Sequence, residues 1–561
     1  MRPGKLISSI TAAVLLAAAS AMAPAANPPP APAVDATAHP AAPSTESRIE
    51  AGRRMYLEGV LPSGEMITAR VRNDVTVGGD FAICGTCHRR SGLGSSEGSQ
   101  VIPAIAGDRL FNPLRLPTRN LPLAPQQRPA YNMETLKRAI RSGVDANGEL
   151  LDPLMPRYAL DDDQIELLID YLKTVSVEIS PGVDERDIHF ATIIAGPVAP
   201  EIRKALVDVM QVYVEQKNSE TRHESKRAQD APWHKEWLFS PYRKWVMHVW
   251  ELTGAPETWP AQLERYYRQQ PVFAVLSGVA NGPWQPVHRF CEQTELPCLF
   301  PTTDLPVIAE QDFYPIYLSK GMALEGQLVN RHRLDDGQVN RPLVQVYRAD
   351  DQRAKAAAEA IRQERGVRTV VWHPGEGQPG TEFWRQVLDE AEDGHLTLWL
   401  SQADVDTLWP VLEQNGGPDR IYLSSSLYGD NTDGVPPSLR DRLLFIHINE
   451  LPSRLSRLLL RSTGWLRVKH IYAPKAREVQ ANAYFALKVA GDALTHIRGY
   501  FFRDYFIERI EHTVDSVPYT SVYPRISLAP GQRFAAKGGY IARLSPGPNP
   551  ALVAVTEWIT P

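Results

Sequence analysis

Short apolar runs alternating with amphipathic stretches fill most of the chain. IHFATIIAG (188–196), PVFAVLSG (271–278), PCLFPTT (297–303), RPLVQVYRA (341–349), VRTVVWH (367–373), LTLWLS (396–401), RIYLSSS (420–426) and RLLFIHI (442–448) are continuous rather than alternating in hydrophobicity. That is the pattern of strands covered on both faces. The segments between them have helical spacing, so βαβ units on parallel sheets are predicted from about residue 188 to the C-terminus. Residues 46–178 carry a helical period instead. Ile165, Leu168, Ile169 and Leu172 form one apolar stripe, and Asp161 as N-cap with Gln164 three residues on marks its start. SRIEAGRRMYLEG predicts a helix near the beginning of this region, and YNMETLKRAIRSG another with Met133 in its first turn. LPSGEMITARVRNDVTVGG reads as an additional hairpin or loop.

Ahead of residue 46 the pattern changes twice. Residues 26–45 are rich in Pro and Ala with no apolar period and read as an extended linker. Residues 1–25 have Arg2 and Lys5, an apolar run from Leu6 to about Ala19, then small residues, the layout of a secretory signal. No later segment approaches the ~18 apolar residues needed to span a bilayer. The expectation is an exported protein of the periplasm, with no membrane span once the signal is removed. A net charge of -5, with Lys and Arg dispersed, argues against nucleic acid as a partner.

Chemistry concentrates at Cys84-Gly85-Thr86-Cys87-His88. Two thiols two residues apart can add to the vinyl groups of a haem while the next imidazole binds its iron. The same spacing also serves thiol redox sites, a surface disulfide and half of a zinc site. A low-spin electron carrier needs a second axial ligand, commonly a Met thioether. Met155, followed by Pro156 on a loop, is the candidate; Met133 or a histidine is the alternative.

With these features in place, residues 46–178 resemble class I cytochromes c. The resemblance rests on the helix with Gly52 and Tyr56, the CxxCH, SGLGSSEGSQVIP, the Met155-Pro156 loop and the terminal helix. It implies an all-α domain with one covalent haem c on Cys84 and Cys87, axial His88 and Met155, and helices crossing near Gly52 and Tyr171. It also implies that the Pro103 carbonyl orients His88, and that a periplasmic protein exchanges electrons with the haem.

The long region resembles type I periplasmic binding proteins, the branched-chain amino acid substrate-binding class of ABC transporters. The likeness lies in element order, in FYPIYLSKGMALEGQLVNRHRL as a crossover to a second lobe, and in VQANAYFALKVAGDALTHI as a helix returning to the first. It implies a two-lobed α/β domain over 188–561 with a small molecule between hinged lobes. Ser277, Gly278, Thr302 and Thr303 fall where first-lobe contacts are expected, and Ser424 to Tyr428 where second-lobe contacts are expected. Ordinary strand-end turns would look the same, and no acidic-plus-hydroxyl set for an amino-acid zwitterion is evident.

Cys291 and Cys298 predict a local disulfide, worth roughly 2–3 kcal/mol in the chain-entropy model. His512, alone beside acidic residues, reads as a solvated helix face. The long region has no GxSxG, P-loop or GxGxxG fingerprint, so no enzymatic activity is expected of it. The readings that follow are a mono-haem electron carrier with a binding or partner-docking domain, then a sensor in which cleft closure alters the haem. A haem-dependent oxidoreductase is the third.

Overall fold

The computed structural model describes residues 44–561 apart from 72–74, 98–99, 116–126, 222–242, 310, 374, 376 and 498. The signal segment 1–25 and nearly all of the linker 26–45 therefore lie outside the described residues. A small helical domain leads into a large α/β domain with two sheets.

In the small domain, helix α1 (Thr45–Glu58) crosses the terminal helix α4 (Asp162–Leu172). A Cβ on Gly52 would lie 2.1 Å from the Leu167 carbonyl oxygen and 2.8 Å from the Tyr171 Cβ. Only glycine allows the two backbones to approach this closely. One turn later Tyr56 packs on Tyr171 with ring centroids 5.5 Å apart. The capping box forms as predicted: the Gln164 N–H donates to Asp161 Oδ1 at 2.8 Å, and the Asp161 N–H donates to Gln164 Oε1 at 3.1 Å. All four residues of the predicted stripe are buried. Between α1 and α4 lie α2 (Cys84–His88) and α3 (Met133–Ser142). The inserted segment is a hairpin of β1 (Ala69–Val71) and β2 (Val75–Val77), and β1 also pairs with β3 (Arg157–Tyr158), the residues just after Met155 and Pro156.

The large domain has two lobes. The first holds five described parallel strands: β4 (Asp187–Ala195), β5 (Lys244–Leu252), β6 (Ala274–Ala280), β7 (Cys298–Leu299) and β8 (Pro315–Ile316), in the order β8-β7-β6-β4-β5. Helix α5 (Pro200–Thr221) covers one face. After β8 the chain crosses to the second lobe through α6 (Met322–Asp335). There β9 (Leu343–Arg348), β10 (Val367–Trp372), β11 (His395–Trp399), β12 (Ile421–Ser424) and β13 (Leu443–His447) run parallel. Helix α7 (Arg477–Ile497) returns to pack on the first lobe, and α8 (Arg503–Ser516) follows it.

Two features depart from an all-parallel reading. The tail returns to the second sheet as β14 (Tyr540–Leu544) and β15 (Leu552–Ala554), both antiparallel, giving the order β10-β9-β11-β12-β13-β14-β15. Strand β5 carries three polar or charged residues among nine, Lys244, His248 and Glu251, which interrupt any continuous apolar run, and it lies at the sheet edge. Cys291 and Cys298 are bonded, with Cα atoms 6.2 Å apart, joining a helix end to β7. His512 is exposed, as predicted. No helix among the described residues is long and apolar enough to cross a membrane.

Replacing Gly52 by Val should force α1 and α4 apart and destabilise the small domain by about 1–3 kcal/mol, the usual cost of overpacking. Denaturant unfolding followed by near-UV circular dichroism checks this.

Candidate functional site

Helix α2 places Cys84, Cys87 and His88 on little more than one turn. Both thiols are free. Burial pushes the Cys84 thiol up to about 11, opposite to the lowering that a reactive CxxC pair requires. Among the described residues no cluster of His, Cys, Asp and Glu could hold a metal ion, so a zinc site lacks its second half there. His88 is 6% exposed, and its Nδ1 lies 2.9 Å from the Pro103 carbonyl oxygen. A carbonyl can only accept, so Nδ1 carries the hydrogen and Nε2 keeps the lone pair a metal would use.

The loop with Met155 is fixed by its neighbours. The Met155 N–H donates to the Asp152 carbonyl at 3.0 Å. The Arg157 guanidinium donates to the carbonyls of Met155, Leu151 and Asp152. Met155 and Met133 are both partly buried against the small-domain core, Met155 on a turn and Met133 as the first residue of α3. Phe81, three residues before Cys84, is 79% exposed, and Leu150 and Leu154 beside Met155 are also exposed. A large apolar ring suits such side chains, so the donor set and its apolar surroundings fit a haem.

The second site lies between the lobes, at the carboxyl ends of their strands, with a cavity of about 390 Å³. Of the predicted contacts, Thr302 and Thr303 line it. Ser277 and Gly278 do not: Ser277 is 1% exposed within an irregular stretch of β6, and Gly278 approaches Ile193 and Trp284. Ser424 caps a short helix by accepting from the Leu427 N–H, and Tyr428 is buried against Phe445, so Ser425 and Ser426 face the cavity instead. Asp304, Asp430, Glu450 and Glu478 bring carboxylates to the walls, and Lys475 and Arg477 bring cations. Glu450 follows β13 as Thr302 follows β7, so the strand-end rule extends to it; Glu478 and Asn482 come from α7, where nothing in the sequence marks them. Glu478 is open to the cavity, yet its depth in the molecule and the charge of Asp304 push its carboxyl up to about 7. Behind the wall, fully buried Glu325 on α6 accepts from the Ser426 N–H and Oγ–H, and burial pushes it up to about 7.

Residues 81–176 match the protein-family model described as Cytochrome c. This segment is a cytochrome c domain. No curated protein matches the chain. Among solved structures, the chain is similar to a fatty acid ABC transporter substrate-binding protein from Thermomonospora curvata, at 14% identity and a TM-score of 0.44, over 69% of this chain and 95% of that one. It is also similar to a branched-chain amino acid ABC transporter from Thermus thermophilus with bound valine, at 13% identity and a TM-score of 0.45, over 67% of this chain and 97% of that one.

The cytochrome c domain docks on the first lobe through the residues that follow His88. Arg90 lies 3.3 Å from Asp504 and 3.9 Å from Glu295, with its guanidinium over the rings of Phe313 and Tyr314 at 4.7 and 5.3 Å. The Ser91 N–H and Oγ–H donate to the two oxygens of Glu508 at 2.8 and 2.6 Å. Glu295 and Phe313–Tyr314 precede β7 and β8, whereas the cavity residues follow them. The domain and the cleft thus occupy opposite ends of one sheet. Arg503 ties the platform together, donating to the carbonyls of Pro181, Val272, Phe273, Thr294 and Glu295.

Two outcomes are expected. Arg90→Ala removes two ion pairs and two ring contacts at a part-buried position, and should lower the stability of the cytochrome c domain by about 1–3 kcal/mol. In denaturant its transition should separate from that of the α/β domain. For Glu325, a folded-state pKa raised from 4.5 to about 7 means that folding retains a proton the unfolded chain releases. Its contribution is therefore present below pH 4.5 and lost as pH rises toward 7. Glu325→Gln should flatten the fall in melting temperature across that window.

Proposed function

We propose that the protein is a periplasmic electron carrier with one haem c, joined to a domain that binds a small molecule between its lobes. The observation that carries the first part is the His88 Nδ1 contact with the Pro103 carbonyl beside two free thiols. Cys84 and Cys87 would hold the haem covalently, and His88 and Met155 would bind its iron. When bound, the haem accepts and releases one electron at its iron. The chain's own part is to hold His88 in one tautomer, to pin the Met155 turn through Arg157 and to cover the site with apolar side chains. A cleft of polar residues at strand ends supports small-molecule binding.

Docking of a redox partner protein belongs to the same reading, since an electron must arrive from one protein and leave to another. The opposite placement of cleft and haem domain favours transfer to such a partner over chemistry on a cleft ligand, and the reading is therefore not an enzyme. A sensor is the second reading, and one observation favours it: the stretch from Phe313 to Ser319 touches Arg90 at its start and the cleft at its end. If so, a cleft ligand must change the haem potential, because an effect in one direction requires the reverse.

The test is the visible spectrum of the mature protein made in a host that attaches haem c, beside Met155→Ala. The parent should show low-spin c-type bands with the ferric Met-sulfur charge-transfer band, and the variant should lose that band alone. A high-spin or bis-histidine parent would remove Met155 from the site.

A further inference from the structure

The chain's carboxylates around the docking segment differ in how they are matched. Asp504 has Arg90 at 3.3 Å and accepts from the Tyr314 hydroxyl at 2.7 Å. Glu511 is paired with Arg533. Glu508 lies between them on α8, and both of its hydrogen-bond donors, the Ser91 N–H and Oγ–H, are neutral. Ser91 is three residues from His88 and 1% exposed, so Glu508 sits against the attachment segment from the other domain. The charged and titratable groups acting on it are Asp504 and Glu511 on its own helix and Tyr56 on α1, while Arg90 of the docking segment pairs with its neighbour Asp504.

We propose that Glu508 binds and releases a proton in step with the electron of the cytochrome c domain. One electron from a one-electron donor protein reaches the haem site as one proton passes from water to a Glu508 oxygen, and both leave on oxidation. The inference rests on the haem reading above.

Three observations support it. The contact survives both protonation states: ionised, Glu508 Oε2 accepts from the Ser91 hydroxyl; protonated, it donates to the same oxygen, and Oε1 accepts from the Ser91 N–H throughout. Residue 508 as a whole is part-buried at the domain junction. Burial, then the charges of Asp504 and Glu511, push the carboxyl up to about 8 against the pull of Ser91, within reach of working pH. The oxidised site carries one more positive charge than the reduced site. It therefore favours the carboxylate, and reduction favours the acid.

The test is a potentiometric titration of the haem-loaded full chain from pH 6 to 10. The midpoint potential should fall as pH rises through the window near 8, with a slope that approaches tenfold in the redox equilibrium per pH unit, about 59 mV for one electron. Glu508→Gln, which mimics the acid, should hold the parent's low-pH value throughout. Ser91→Ala, which removes a donor to the ionised form, should move the fall to higher pH. A parent potential independent of pH, a Glu508→Gln profile that still falls, or an unmoved Ser91→Ala profile would each overturn the proposal. Failure to attach haem at Cys84 and Cys87 would instead overturn the haem reading, which the spectrum reports separately.

Discussion

The turn after His88 is gripped from two sides, and the arrangement of the rest follows from that grip. From within its own domain the Tyr56 hydroxyl donates to the Arg89 carbonyl at 2.7 Å, and the Ser176 hydroxyl donates to the Ser91 carbonyl at 2.7 Å. From the large domain come Glu508 and Asp504. Backbone polar groups in such a segment must find partners once water is removed. Here the partners belong to three separated stretches of chain. His88 is consequently fixed relative to both the helix crossing at Gly52 and the first-lobe sheet.

Any movement between the lobes would be set against this fixed body. Among the described residues, the docking contacts named above are made by first-lobe elements or by α8, which packs with α7 on that lobe, and Arg109 adds one to Tyr500 in the connection between α7 and α8. Arg353 and Asp304, 3.5 Å apart, instead bridge the mouth of the cleft between lobes. A hinge closure would move the second lobe while the cytochrome c domain stayed with the first. The salt bridge at the mouth is exposed and worth little by itself, so it leaves that hinge free to open.

Local rules made much of the fold legible. The Asp161–Gln164 box, the Ile165 to Leu172 stripe and the apolar strand runs each depend on neighbours within a few residues. Strand β5 escaped notice because His248, Glu251 and Lys244 interrupt its apolar pattern at the sheet edge. The tail strands escaped because their pairing is with β13, about a hundred residues earlier, and not with each other alone. In the cytochrome c domain Cys84, Cys87 and His88 were readable from spacing, whereas Arg157 and Glu508 were not: one acts through three carbonyls and the other through a partner remote in sequence. In the cleft, the strand-end rule located Thr302 and Thr303 and, within the stretch Ser424 to Tyr428, Ser425 and Ser426, but not Ser277 and Gly278, nor Ser424 itself, whose hydroxyl caps a helix.

The separation of Ser91 and Glu508 by 417 positions also orders events in time. A chain released from its N-terminal end completes α1 through α4 long before α8 exists. During that interval Cys84, Cys87 and the surface that α8 will cover stand open together. On the haem reading proposed above, attachment at the two thiols can therefore finish first, before the last helices close over the segment.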